Sequence, residues 1–159
     1  MRVNRAGELA AQGLYSGQAI TARTPRVRAQ LTAAAAEERD HLAWCDARLK
    51  ELGGRASVLD AFWYLGSVGI GVAAGLAGDR VSLGFVAETE RQVEAHLNDH
   101  LARLPSADEK SAAVLTRMTA DEVHHGTTAK LAGGVDLPWP IRRSMAFGGG
   151  LLRRIAYFV

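Results

Sequence analysis

The chain has a single cysteine, Cys45, only four prolines, and ten aromatic residues (three Trp, three Tyr, four Phe) in 159 positions. One cysteine excludes an intramolecular disulfide and points to a reducing compartment. Scarce proline and aromatics, against 48 % apolar residues dominated by Ala and Leu, argue against a β-sandwich and for an all-α domain. The opening stretch MRVNRAGELAAQ has neither the apolar core nor the cleavage pattern of a secretory leader. No Gly-rich turn joins a strand to a helix, so no dinucleotide-binding domain is expected. Acidic residues are missing from Pro140 onward, where Arg142, Arg143, Arg153 and Arg154 stand among apolar neighbours. The net charge is only +2, so this basic character is local. Arginine mixed with apolar residues suits an anionic membrane surface. No stacking aromatics or nucleic-acid motif accompany them, so nucleic acid is not expected as a partner.

What is present is helical periodicity. A chain of this length makes one domain, residues 1–159, and neither a repeat nor a linker divides it. Six helical segments are expected: 4–22, 25–52, 58–78, 82–104, 106–131 and 141–159. Thr24 before Pro25 starts the second, two glycines at 53 and 54 end it, and Ser57 is expected to cap the third. The third segment is apolar except for Asp60 and Ser67, and on length alone it could span a bilayer. Glycines at 66, 69, 71, 75 and 78 weaken it as a spanning helix, so it is read as a buried or interfacial crossover.

Stepping three or four residues along each helix gives an apolar seam with polar interruptions. The second helix runs Val27, Leu31, Ala34, Glu38, His41, Cys45, Leu49, Leu52; the fifth runs Ser111, Leu115, Met118, Glu122, His125, Ala129, Ala132. Each is broken by Glu-x-x-His, a spacing that puts both side chains on one face. The fourth (Leu83, Val86, Glu90, Val93, Leu97, Leu101, Leu104) and the first (Glu8, Ala11, Tyr15, Gln18, Ala22) each carry one glutamate. Four inward carboxylates need cations, because an isolated buried carboxylate is very costly. Four-helix bundles with a di-iron or di-manganese carboxylate centre use this ligand set, and carboxylate with imidazole suits either metal. The neighbouring acids Glu37, Asp40, Glu94 and Asp121 fall off the seams and are expected to be solvated. Cys45 is read as a packing residue.

The stretches RVNRAGELAAQGLYSGQ, EERDHLAWC, GDRVSLGFVAETERQVEAHLNDHL, MTADEVHHGTTA and LPWPIRRSM resemble the demethoxyubiquinone hydroxylases of ubiquinone biosynthesis, over essentially the whole chain. That resemblance implies a ferritin-like four-helix bundle with a long apolar crossover and an additional C-terminal apolar-basic helix. It implies a di-iron monooxygenase whose ligands, also the catalytic set, are Glu8, Glu38, His41, Glu90, Glu122 and His125, with Glu38 and Glu122 bridging the metals. Two departures stand out. Family members usually have His where this chain has Arg5, which is not a ligand position. Many also carry residues before RVNRAGE, and a shortened first helix would loosen the site around Glu8.

The implied reaction is hydroxylation of the demethoxyubiquinol ring with O2, on two Fe ions. The electron donor is left open among the quinol itself, NADH and a reductase. The implied partners are a polyprenylated quinol, the membrane surface through segments 58–78 and 141–159, and an accessory lipid-binding protein or a second copy of the chain. For a bacterial chain this means a peripheral protein on the cytoplasmic face of the inner membrane. His96 or Asn98 is a candidate for the substrate's surroundings, as are the hydroxyls of Tyr15 and Tyr64, against the plainer reading of a polar helix face and core tyrosines. The rival functions are a ferroxidase, a hydroxylase of another substrate such as a tRNA base, and a lipid-binding bundle without metal. The last would show substitutions at the six positions, and none is substituted.

Overall fold

A computed structural model describes residues 1–159 and contains six helices and no strand: α1 Arg2–Thr21, α2 Pro25–Glu51, α3 Asp60–Leu76, α4 Asp79–Arg103, α5 Glu109–Leu131 and α6 Trp139–Phe158. Thr24 adopts extended backbone, and its hydroxyl accepts from the Val27 N–H at 3.3 Å. With Pro25 in the first turn, this separates α1 from α2. Gly78, at φ 106°, lets the chain turn out of α3 directly into α4, three residues earlier than the seam alone indicates. Asp79 then accepts from the Arg23 and Thr24 N–H groups (2.8 and 3.0 Å) and from the Thr24 hydroxyl (2.8 Å). The start of α4 is thereby fastened to the α1–α2 turn. Helix α5 starts later than the expected 106 because Asp108 caps it by accepting from the Ser111 N–H at 3.0 Å. Ser57 does not cap α3; its hydroxyl accepts from the Leu59 N–H at 3.2 Å, just outside the helix.

Helices α1, α2, α4 and α5 form the bundle, packed mainly as the pairs α1–α2 and α4–α5. Their seams are its interior. Glu8, Tyr15, Gln18, Leu31, Glu38, His41, Cys45, Leu83, Glu90, Leu97, Leu115, Met118, Glu122, His125 and Ala129 are all buried. The apolar interior divides in two. A larger cluster, including Leu14, Tyr15, Leu31, Leu83 and Val86, fills one end, and Cys45, Leu97, Leu115 and Met118 fill the other. The polar seam residues lie between them.

Helix α3 links α2 to α4 and runs parallel to α1, Gly13 meeting Tyr64 and Thr21 meeting Gly75. The contact is backbone against backbone. A Cβ at Gly17 would run into the Val68 carbonyl, and one at Gly71 into the Leu14 carbonyl. Small residues thus let the two helices approach closely, a device common where helices pack in lipid. The large side chains of α3 consequently point away from the bundle: Phe62, Leu65, Ile70 and Leu76 are exposed. Helix α6 crosses α1 and α4 and also exposes Trp139, Ile141, Phe147, Leu151, Tyr157 and Phe158. No helix is long and apolar enough to cross a membrane.

Gly71→Val is expected to push α3 off α1 and lower stability by about 1–3 kcal/mol in denaturant unfolding. Gly69 faces open space. Gly69→Ala should raise stability by roughly 0.5–1 kcal/mol through helix propensity alone.

Candidate metal centre

Each of the four bundle helices delivers its seam glutamate to one level, and α2 and α5 add their histidines one turn later. The six side chains form two groups that share two members: Glu8, Glu38, His41, Glu122 and Glu38, Glu90, Glu122, His125, each with donor atoms within 4.8 Å of one another. His41 Nδ1 lies 3.4 Å from Glu8 Oε2, Glu38 Oε2 and Glu122 Oε1. His125 Nδ1 lies 3.6 Å from Glu38 Oε1, 3.6 Å from Glu90 Oε1 and 3.5 Å from Glu122 Oε2. Glu38 and Glu122 therefore turn one oxygen to each group.

The donor set fits two divalent cations. Both oxygens of Glu38 and of Glu122, Oε2 of Glu8 and of Glu90, and Nδ1 of both histidines are enclosed without a hydrogen-bond partner. Buried polar atoms left this way are costly, and here they converge. Two dications would match the four carboxylate charges.

Without cations, protons must do this work. Burial disfavours charge on His41 and His125, but the surrounding carboxylates prevail and push both well above the usual imidazole range. Burial, with neighbouring carboxylates adding to it, raises Glu8 and Glu90 well above the usual 4.5. Burial also acts on Glu122, but the imidazoles of His125 and His41, 3.5 and 3.4 Å away, outweigh it and hold this carboxyl at about 2.

The outer nitrogens of the histidines reveal two residues that the seams missed. His41 Nε2 meets Asp121 Oδ2 at 3.2 Å, and His125 Nε2 meets Glu37 Oε2 at 2.6 Å. Asp121 and Glu37 are thus not simply solvated, as expected from their places off the seams. Such carboxylates fix the tautomer that leaves Nδ1 free to bind metal and raise its basicity. A signal did exist. Each acid directly precedes a seam glutamate and crosses to the histidine of the facing helix. Tyr15 is a core tyrosine with a role, its buried hydroxyl donating to Glu90 Oε1. Cys45 packs with its sulfur 3.9 Å from that of Met118. Arg5 stays outside the cluster and pairs with Asp46 and Asp60, tying α1 to α2 and α3.

Beside the cluster, a cavity of about 620 Å³ runs between α1, α3, α4 and α6. Glu8 lines it, so it reaches the candidate metal centre. Its other lining residues include the exposed Phe62, Ile70, Ile141 and Leu151, so it opens at the apolar outer surface of α3 and α6. His96 lines it too and hydrogen-bonds the buried Asn4, whereas Asn98 is exposed and Tyr64 does not line the cavity.

Comparison with known proteins places this arrangement. The family model described as "Ubiquinone biosynthesis protein COQ7" matches residues 1–148. The chain belongs to the COQ7 family. A Cupriavidus metallidurans protein named 3-demethoxyubiquinol 3-hydroxylase is 58 % identical over 157 residues, covering 99 % of this chain and 76 % of that one. A Legionella pneumophila protein of the same name is 56 % identical over 159 residues, covering 100 % of this chain and 75 % of its own. A Ralstonia pickettii protein, again of that name, is 54 % identical over 157 residues, 99 % and 72 % of the two chains.

Two outcomes follow for this COQ7-family chain. Asp121→Asn and Glu37→Gln should each weaken divalent-metal binding roughly 10–100-fold in chelator competition. The metal-free chain should also lose stability as pH rises above 4.5, the ordinary value for Glu. Glu8, Glu90, His41 and His125 all hold protons more tightly folded than unfolded, so the folded state binds the excess protons. Glu122 does not oppose this, since its contribution is complete above 4.5 and is lost only as pH falls through about 2. Thermal melts between pH 5 and 8 should show the fall; a rise would refute this account of the charges.

Proposed function

We propose that this chain is a di-iron monooxygenase that hydroxylates the ring of demethoxyubiquinol in ubiquinone biosynthesis. The observation that carries this reading is the joining of two features: a paired four-ligand cluster, and an apolar cavity that leads from it to an exposed apolar surface. The names of the relatives support the substrate. A ferroxidase would need the same ligands but not an apolar cavity of this size.

In this reading Glu8, Glu38, His41 and Glu122 would hold one iron and Glu38, Glu90, Glu122 and His125 the other. When bound, the irons supply the redox chemistry that activates O2. Overall, one oxygen atom would enter a ring C–H bond as hydroxyl and the other would leave as water, with two electrons and two protons supplied by the quinol itself, NADH or a reductase. The chain's own residues do the rest. Asp121 and Glu37 hold the histidines in the binding tautomer, and Tyr15 holds Glu90. The apolar walls keep bulk water from the ring and orient it. Restored ubiquinone, measured by mass spectrometry in a bacterial strain lacking its own hydroxylase, is expected with this chain and not with Glu90→Ala. Accumulated demethoxyubiquinone with both, despite iron-loaded protein, would refute the assignment.

The substrate's polyprenyl tail lies in lipid, and the cavity mouth is formed by exposed residues of α3 and α6. We read those faces as the membrane contact, with Arg142, Arg143 and Arg154 meeting anionic head groups. The chain should co-float with phosphatidylglycerol vesicles, and Arg142→Ala/Arg143→Ala/Arg154→Ala should weaken this most at low salt. Equal flotation of parent and triple variant would count against the arginines.

A further inference from the structure

The six candidate ligands are not placed alike around the cavity. Glu8 is the one among them that lines it. At the other position Glu90 does not line the cavity, and its Oε1 is tied to Tyr15, itself fully buried. Glu38 and Glu122 have both oxygens enclosed, and Glu90 has one enclosed and one hydrogen-bonded. Only Oε2 of Glu8 is enclosed.

Polar groups that suit a ring bearing hydroxyls stand on the same side. Asn4 lies one helical turn before Glu8, on the same face of α1. Its Oδ1 accepts from His96 Nε2 at 3.2 Å, and its Nδ2 donates to His100 Nδ1 at 3.1 Å. That chain puts the His96 proton on Nε2 and leaves Nδ1 as an acceptor on a side chain that lines the cavity. A quinol hydroxyl is a donor, and the rest of the cavity wall is mostly apolar.

We infer that the two metal positions are unequal: the quinol ring meets the one held by Glu8 and His41, and Glu8 is the carboxylate that gives way to it. The position held by Glu90 and His125 is closed to the ring. This rests on the two-metal reading above. Glu8 can move because cavity lies beside it and no buried tyrosine restrains it; Glu90 cannot without breaking its bond to Tyr15.

The test uses the full chain loaded with Co(II), whose visible bands and magnetic circular dichroism report coordination at each ion. Glu8→Ala and Glu90→Ala should each lower uptake from two ions to one, and so assign the two sets of bands. If Glu8→Ala does not fold, Glu8→Gln makes the same assignment. Duroquinol is then titrated in. The bands lost in Glu8→Ala should shift, those lost in Glu90→Ala should stay, and Glu90→Ala should still respond. A shift on the Glu90 bands, on both sets equally, or on neither overturns the inequality while leaving two metals in place. Uptake of fewer than two ions by the parent chain overturns the two-metal reading and the inequality with it.

Discussion

Four carboxylates enclosed in one bundle set the terms for everything around them. Glu8, Glu38, Glu90 and Glu122 are almost wholly shut away from solvent, with apolar packing at both ends. Each unbalanced charge there would cost several kcal/mol even after relaxation. Arginine or lysine could have supplied the balance, but none reaches the cluster; the guanidinium nearest in sequence to Glu8, that of Arg5, turns to Asp46 and Asp60 instead. The interior is left to protons on two histidines or to metal cations. The remaining architecture surrounds it: helices that bring four glutamates and two histidines to one level, acids that meet the histidines from outside, and a cavity walled mainly by apolar side chains.

The buried level of glutamates and histidines was legible because helical period and charge conflict there. Glu38 and His41 stand where a Leu would continue the seam, and so do Glu122 and His125, and in each case the structure keeps the seam buried through the interruption. The helix order was legible for similar reasons. What escaped is what depends on partners distant in sequence. Glu37 and Asp121 look like ordinary surface acids until the facing helix brings a histidine to each. The start of α4 is set by Asp79 reaching back to Arg23 and Thr24, a contact over more than fifty residues. The cavity belongs to four helices at once, and no single one of them carries its pattern.

Helix α3 shows how an apolar segment can be ambiguous in sequence and definite in structure. Its glycines form the inner face, so the close approach to α1 uses up the small residues and leaves the large ones outside. This inverts the usual arrangement of a surface helix, in which the apolar stripe faces the core. Together with α6 it surrounds the mouth of the cavity with greasy side chains, and the arginines of α6 stand at the margin. Composition alone, spanning segment or core helix, could not separate these cases; the spacing of glycine against aromatic residues does.

The two apolar clusters on either side of the carboxylates differ in size, twelve enclosed residues against four. A bundle with unequal halves and a charged belt between them does not open evenly. The small half, built on Cys45, Leu97, Leu115 and Met118, has less packing of its own and leans on the belt for its attachment. Amide hydrogens around Cys45, Leu97, Leu115 and Met118 are accordingly expected to exchange by partial opening before those of the larger half.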